Sequence, residues 1–129
     1  MKTVLAIDDD DAILDLLSNV LEIEDTSVLT ASNAKTALKL AKKHKPAVIL
    51  LDLMMPEYDG FEFFTILKQM PELNHTRYIM FTAQDTKNNL WESIDLSFDD
   101  FISKPFDLSE LEIRIRHQLY NTDNVRVRR

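Results

Sequence analysis

Hydrophobic residues along the chain follow two alternating patterns. Short runs of consecutive apolar residues, several of them β-branched, predict strands that are buried on both faces. Between these runs the apolar residues recur at every third or fourth position, which is typical of amphipathic helices. The runs predict five strands, at residues 3–7, 27–31, 47–51, 78–82 and 101–103. The helical spacing predicts five helices, at residues 12–24, 34–41, 61–70, 88–96 and 108–119.

The order of these elements predicts the fold class. Strands and helices alternate along 129 residues, and the connections between them are only a few residues long. Such crossovers are right-handed and bring consecutive strands into one parallel sheet with helices on both faces. The length is that of one ordinary domain, and the hydrophobic content of 45% is also ordinary. We therefore predict a doubly wound α/β domain with five parallel strands and five helices.

The composition indicates the cellular compartment in which the protein works. The sequence has no cysteine, so it has no disulfide framework and no thiol chemistry. Its opening apolar stretch meets four aspartates before it is long enough for a signal peptide, and no later run approaches the length of a membrane span. These features predict a cytoplasmic protein that does not associate with membranes.

Charge and glycine content argue against two classes of ligand. The formal charge of −7 argues against direct nucleic-acid binding by the body of the domain. Residues 121–129 hold three arginines and one aspartate, about +2, which leaves about −9 for residues 1–120. We predict a domain over 1–120, followed by a basic tail or the start of a linker. Because Gly60 is the only glycine, the chain lacks the glycine-rich loops that bind nucleotide phosphates.

A lone carboxylate follows the third apolar run. The stretch VILLDLMMPEYDG begins with four large apolar residues, 48–51, and continues directly into Asp52. Burying an unpaired carboxylate inside a strand costs several kcal/mol. As the last residue of the run, however, Asp52 would enter the crevice at the carboxyl end of a parallel sheet. The alternative is an aspartate that only starts the turn before Pro56.

Polar residues follow other strands at the same edge. Asp8 to Asp11 follow the first strand, Thr82 ends the fourth and Lys104 follows the last. Clustered carboxylates repel one another unless a cation neutralises them, and Mg²⁺ prefers hard oxygen ligands. Lys104 and Thr82 are both donors for phosphoryl oxygens. The set predicts a phosphoryl-transfer site in which Asp52 is the nucleophile.

Several of these residues also have plainer interpretations. Asp11 is expected to be the N-cap of the first helix and Asp10 a spare capping acid, which leaves Asp8 and Asp9 as metal-ligand candidates. Thr82 alone would more often start a helix, and a lone lysine before proline is usually solvated. The histidines have no mutual spacing that suggests a site, and we interpret them as surface residues: His44, His75 and His117.

These motifs together resemble those of the receiver domains of two-component response regulators, over residues 2 to about 120. The acid pair Asp8 and Asp9 and the segments DLMMPEYDG, FTA and KPF stand in the family's order and at its spacing. The resemblance implies the strand order 2-1-3-4-5. It also implies that a sensor histidine kinase or a phosphotransfer protein phosphorylates Asp52 in a Mg²⁺-dependent reaction.

The same resemblance implies the remaining roles at the site. Lys104 and Thr82 would hold phosphoryl oxygens, and Phe101 would be the aromatic switch residue that follows Thr82 inward. Where the family usually has small residues before the last strand, this chain has Phe98, which we expect either to be buried under the predicted fourth helix or to enlarge an apolar surface. The implied ligands of Mg²⁺ are Asp9, Asp52, the backbone carbonyl of Met54 and, through water, Asp8.

Apolar and charged residues that lie outside the predicted core indicate a surface that binds partners. Ile113 lies outside the apolar stripe of the last helix. Near it we expect Trp91 of the predicted fourth helix and the charged residues Asp100 and Arg114, an apolar centre with a polar rim. In one large branch of the family such charges pair two receivers, so phosphorylation is expected to strengthen a homodimer or partner binding here. The alternative is scattered exposed apolar residues without a function. The predicted stripe itself is Leu108, Leu111, Ile115 and Leu119.

Two other functions fit part of the sequence. Asp8 and Asp10 after an apolar strand also resemble the DxD motif of haloacid-dehalogenase-type phosphatases, with Asp8 as nucleophile and Asp10 as acid/base. Such enzymes usually carry a cap insertion, and a threonine or valine where this chain has Ala12. The other alternative is a docking module that never needs the phosphate.

Overall fold

A computed structural model describes residues 2–21, 23–56, 58–83 and 98–120, except for the side chains of residues 82 and 83. The strands are β1 (Lys2–Ile7), β2 (Thr26–Ala31), β3 (Val48–Leu51), β4 (Arg77–Ala83) and β5 (Asp100–Lys104). The described α-helices are α1 (Asp11–Val20), α2 (Ala34–His44), α3 (Gly60–Lys68) and α4 (Leu108–Tyr120), and a 3₁₀ turn covers Pro71–Leu73.

The strands form one parallel sheet in the order β2-β1-β3-β4-β5. Ile7 of β1 lies opposite Leu51 of β3, and Thr82 of β4 lies opposite Ser103 of β5. The strand order reverses between β1 and β3, and this reversal is where doubly wound sheets bind their ligands. The predicted fold class and the strand order implied by the family resemblance are both confirmed.

Both faces of the sheet are covered. Along β1, Leu5 and Ile7 pack into the core beneath α2 and α3, whereas Val4 and Ala6 pack into the core beneath α1 and α4. All four residues of β3 are fully buried, as the apolar run predicts. Each large aliphatic side chain buried in this way contributes about 1.5–3 kcal/mol. Packing on both faces therefore fixes the positions of the strands, and with them the positions of the residues at their carboxyl ends.

Polar side chains cap the N-termini of the described α-helices. Asp10 caps α1 by accepting hydrogen bonds from two backbone N–H groups of its first turn, at 3.0 and 3.4 Å. Asn33, Asp59 and Asp107 accept from the first turns of α2, α3 and α4. Each such cap is worth about 1 kcal/mol. The expectation that Asp11 is the cap was wrong, because the backbone is still extended at Asp10 and helical from Asp11 onward.

The first helix is shorter than predicted. The spacing predicts a helix to residue 24, but α1 ends at Val20, and Leu21 already has an extended backbone. Val20 is exposed, and the buried side chains of α1 are Leu14 and Leu17. The predicted helix at 88–96 and the tail at 121–129 lie outside the described residues, so both stay predictions.

The described helices are too short and too polar to cross a bilayer. The longest, α4, has 13 residues, whereas a membrane-spanning helix needs about 20 mostly apolar residues. In the part of the chain that the structure describes, no helix is a candidate membrane span.

Gly60, the first residue of α3, lies against the backbone of Leu53. A Cβ atom at position 60 would stand 2.3 Å from the carbonyl oxygen of Leu53 and 2.5 Å from its Cα. These are backbone atoms and have no rotamer to change. The absence of a side chain therefore lets α3 begin directly against the loop that follows β3.

We expect Gly60→Ala to destabilise the protein by about 1–3 kcal/mol, because the loop after β3 must move to admit the added methyl group. Thermal unfolding followed by circular dichroism measures this change. Thr65→Ala, at an exposed position of the same helix, is the control and should shift stability by no more than about 0.5 kcal/mol. A Gly60→Ala protein that melts with the wild type would show that the close approach does not constrain the loop.

Candidate functional site

Three charged side chains meet at the carboxyl edge of the sheet. Asp8 directly follows β1, Asp52 directly follows β3, and Lys104 is the last residue of β5. Because β1 and β3 are neighbours, the two carboxylates emerge side by side. β5 lies two strands from β3, and the long side chain of Lys104 spans that distance. The structure thus brings together three of the residues that the sequence predicts at this edge.

Lys104 connects the two aspartates. Its Nζ lies 2.5 Å from Oδ2 of Asp8 and 3.1 Å from Oδ2 of Asp52. Asp8 is fully buried and Asp52 is 3% exposed. The other carboxylate oxygens accept backbone hydrogen bonds, from the N–H of Asp10 to Asp8 and from the N–H of Met54 to Asp52, both at 2.9 Å. Each carboxylate oxygen of the pair therefore has a donor, as buried charges require.

Burial changes the acidity of these groups. Burial raises the pKa of Asp8 to about 6, and the charge of Asp52 adds to the increase, while hydrogen bonds from Lys104 and the Asp10 N–H oppose it. Burial lowers the pKa of Lys104, but its hydrogen bond to Asp8 and the charge of Asp52 outweigh that effect, so the pKa lies above its ordinary value. Lys104 is therefore a cation at neutral pH.

Asp9 completes a cluster of three carboxylates. Asp8, Asp9 and Asp52 each present an oxygen within 4.8 Å of the others, and Asp9 is exposed. One lysine neutralises only part of this charge. Hard anionic oxygens beside a solvent opening suit Mg²⁺, which keeps several waters when it binds to proteins. The donor set therefore fits a divalent cation, and the assignment of individual ligands stays a prediction.

Sequence reasoning missed Tyr58. Its hydroxyl donates a 2.9 Å hydrogen bond to the backbone carbonyl of Asp52, and its ring packs on Phe63 with the centroids 5.0 Å apart. Burial, and then the charges of Asp52, Asp8 and Asp9, raise the pKa of Tyr58 above its ordinary range. The only signal in the sequence is a hydroxyl-bearing ring in a short loop, and no spacing rule assigns it a partner.

The sheet also places Thr82 and Phe101. The backbone of Thr82 lies in β4, opposite Ser103 and one residue before the level of Lys104. Its side chain lies outside the described part of the chain, so its role stays a prediction. Phe101 is half-buried beside Phe98, with ring centroids 6.5 Å apart, and both pack against the core beneath α2 and α3. Phe98 is partly buried, and the predicted fourth helix lies outside the described residues, so the choice between the two expected outcomes stays open as a prediction.

The predicted partner surface is described in part. The apolar stripe of α4 packs on the sheet as predicted, and Ile113 is 65% exposed. Arg114 pairs within the chain with Asp100 at 2.5 Å and with Glu110 at 3.0 Å. Trp91 lies outside the described residues. The charges predicted to pair between two copies are thus already paired inside one copy.

Two further observations limit the chemistry. The carboxylate of Asp10 caps α1, so it is not poised as the acid/base that the phosphatase alternative requires. His44, His75 and His117 are exposed, as predicted. What remains is the buried carboxylate of Asp52, beside a fixed ammonium group and a set of oxygens that fits a cation. This arrangement is suited to receiving a phosphoryl group.

The chain matches the model of the response regulator receiver domain over residues 4–116. It is 39% identical over 124 residues to the transcriptional regulatory protein SrrA of Staphylococcus aureus, a match that covers 96% of this chain and 50% of that protein. The chain therefore spans about half the length of the curated relatives it matches.

Solved receiver domains have the same fold. The signal receiver domain of a DNA binding response regulator protein (merR) from Colwellia psychrerythraea 34H superposes with a TM-score of 0.81 at 28% identity, covering 94% of this chain and all of that one. The receiver domain of the Francisella response regulator 1452 gives 0.76 at 32% identity, covering 92% and 97%. The family match, the strand order and the acid cluster beside Lys104 together show that this chain belongs to the response regulator receiver domains of two-component systems.

Proposed function

We propose that this chain is a phosphoacceptor switch in which Asp52 takes a phosphoryl group from a sensor histidine kinase or a phosphotransfer protein. The observation that carries the proposal is the placement of Asp52. Its carboxylate directly follows the fully buried strand β3, contacts Lys104 at 3.1 Å and lies within 4.8 Å of the oxygens of Asp8 and Asp9. Membership in the family implies a kinase partner.

The proposed step forms one bond and breaks one. A carboxylate oxygen of Asp52 attacks phosphorus in line, and the bond from phosphorus to the donor's histidine nitrogen breaks. Bound Mg²⁺ would stabilise the charge on the phosphoryl oxygens. Lys104 exchanges a carboxylate oxygen for a phosphoryl oxygen, and Thr82 donates to another. The proposed ligands of the cation are Asp9, Asp52, the Met54 carbonyl and, through water, Asp8.

The proposed function is that of a switch and not that of an enzyme that turns over external substrates. Its own phosphorylation and the later loss of the phosphoryl group are the only chemistry assigned to it. We place it in the cytoplasm, without nucleic acid or membrane as a direct partner of this domain. The docking-module alternative predicts equal partner affinity for wild type and Asp52→Asn under phosphorylating conditions.

Asp52→Asn should not be labelled by acetyl phosphate or phosphoramidate with Mg²⁺, because an amide is not a nucleophile for phosphorus. Asp9→Ala should be labelled at least about tenfold more slowly, because it lacks a proposed ligand. Intact-mass spectrometry detects the added phosphoryl group.

The matched control is Asp11→Asn, which removes one negative charge from the same acidic run but outside the carboxylate cluster. It should be labelled at the wild-type rate. Labelling of Asp52→Asn would remove Asp52 as the acceptor, and wild-type labelling of Asp9→Ala would remove Asp9 as a ligand.

Lys104→Ala should keep or raise the affinity for Mg²⁺, while the conformational response to phosphorylation is lost. The ammonium group pairs with Asp8 and Asp52, so it competes with the cation for their charge. Titration with Mg²⁺, followed by NMR chemical shifts, measures the affinity. Lys39→Ala, an exposed position on α2, removes the same charge and should leave affinity unchanged. A large fall in Mg²⁺ affinity for Lys104→Ala would count against this role.

We also propose that phosphorylation strengthens a homodimer or partner complex through the surface that contains Ile113, Asp100 and Arg114. Inward movement of Thr82 would let Phe101 follow, which repositions β5 and its neighbours. In the monomer Arg114 already pairs with Asp100, so dimer formation would exchange this pair for the same pair between copies. The exposed Ile113 would supply the apolar centre.

Sedimentation with and without beryllofluoride, a phosphoryl mimic, tests this surface. Wild type should associate when beryllofluoride and Mg²⁺ are present, and Arg114→Glu should remain monomeric. Because Arg114→Glu also breaks a pair within the chain, Ile113→Ser is the second variant, since it removes only exposed apolar area. Monomers under every condition, with no partner retained by the surface, would refute the proposal.

A further inference from the structure

The main chain at Asp52 lies just beyond the regular pairing of the sheet. β3 ends at Leu51, and the N–H of Asp52 donates to the carbonyl of Ile7 at 3.0 Å. The carbonyl of Asp52 points into the loop that leads to α3. Since Asp52 is 3% exposed, this carbonyl needs a donor close by, because a buried and unpaired backbone oxygen is unfavourable.

Tyr58 supplies that donor. Its hydroxyl lies 2.9 Å from the carbonyl oxygen of Asp52, six residues back along the chain. The ring packs on Phe63 of α3, and the main chain of Tyr58 is tied to the loop because its N–H donates to the carbonyl of Met55 at 3.4 Å. The side chain is half-buried. The hydroxyl is therefore positioned by α3 and by the loop, and the carbonyl of Asp52 is positioned by the hydroxyl.

Two hydrogen bonds together define the turn from Asp52 to Met54. Tyr58 fixes the carbonyl of Asp52, which sets the plane of the peptide between residues 52 and 53. The N–H of Met54 donates to Oδ1 of Asp52 at 2.9 Å, which fixes the next peptide relative to the carboxylate. The carbonyl of Met54 belongs to the peptide that comes directly after these two, so its position in space is built on both bonds.

We propose that Tyr58 is a positioning residue for cation binding, whose hydroxyl holds the turn from Asp52 to Met54 in the shape that directs the Met54 carbonyl and the Asp52 carboxylate to one cation. The inference rests on the proposed function, because it concerns the same Mg²⁺ site. It assigns a role to a residue that touches neither the cation nor the phosphoryl group. Its effect therefore has to appear first in the affinity for Mg²⁺.

Tyr58→Phe tests the hydroxyl alone, because the ring and its packing on Phe63 remain. Loss of one neutral hydrogen bond that orients two ligands should weaken Mg²⁺ binding by about fivefold. An NMR titration of the unphosphorylated protein with Mg²⁺ gives this affinity without any phosphoryl transfer. Phosphorylation by acetyl phosphate should slow by the same factor at limiting Mg²⁺ and should return to the wild-type rate at saturating Mg²⁺.

Tyr120→Phe is the matched control. The hydroxyl of Tyr120 also donates to a backbone carbonyl, that of Glu24 at 3.1 Å, so the substitution removes the same kind of bond from a part of the chain outside the acid cluster. It should bind Mg²⁺ as wild type does. Tyr58→Met is a second variant without a hydroxyl. It should lose the same Mg²⁺ affinity as Tyr58→Phe, which would show that the loss comes from the missing hydroxyl and not from the phenylalanine that replaces the tyrosine.

The outcomes separate this inference from the proposed function. If wild type takes the label on Asp52 but both Tyr58 variants bind Mg²⁺ as wild type does, the positioning role is wrong and the phosphoacceptor role stands. A labelling rate of Tyr58→Phe that stays low at saturating Mg²⁺ would also overturn the positioning role, because the defect would not lie in cation binding. If wild type is not labelled on Asp52 at all, the proposed function itself fails.

Discussion

A lysine held between two buried aspartates is the interaction on which this site depends. Asp8 and Asp52 lie at the carboxyl edge of the sheet with almost no exposure to solvent, and Lys104 forms ion pairs with both. Removing one partner from a buried ion pair costs about 3–5 kcal/mol, so the two carboxylates rely on one shared ammonium group. The same sharing makes the site responsive, because a phosphoryl group on Asp52 gives Lys104 a different anion to bind.

The sheet supplies the rigidity that this bridge requires. β1, β3 and β4 pack into cores on both faces, so their carboxyl ends vary little in position, whereas the loops beyond them carry the chemistry. Gly60 allows α3 to begin against the loop after β3, and Tyr58 ties that loop to the carbonyl of Asp52. The candidate site therefore has two parts: the charged side chains that would contact a ligand, and the loop after β3, whose conformation is fixed by Gly60 and Tyr58.

The sequence predicts the fold and the centre of the site, but not the contacts that depend on local conformation. Asp52 and Lys104 are predictable because the carboxyl ends of parallel strands share one edge. The choice between Asp10 and Asp11 as the helix cap is not, because either acid can cap and the helix start is uncertain by a residue. The bond from Tyr58 depends on the path of a loop, and no periodicity encodes that path.

The exchange of anions by Lys104 can be seen directly in a crystal structure of the protein with Mg²⁺ and beryllofluoride. We expect beryllium bonded to a carboxylate oxygen of Asp52, Mg²⁺ beside Asp9, and Nζ of Lys104 moved from Asp52 to a fluoride. Such a structure would show the lysine exchanging one anion for another at a fixed sheet edge. Beryllofluoride on Asp8, or an unchanged pair between Lys104 and Asp52 with Asp52 unmodified, would contradict it.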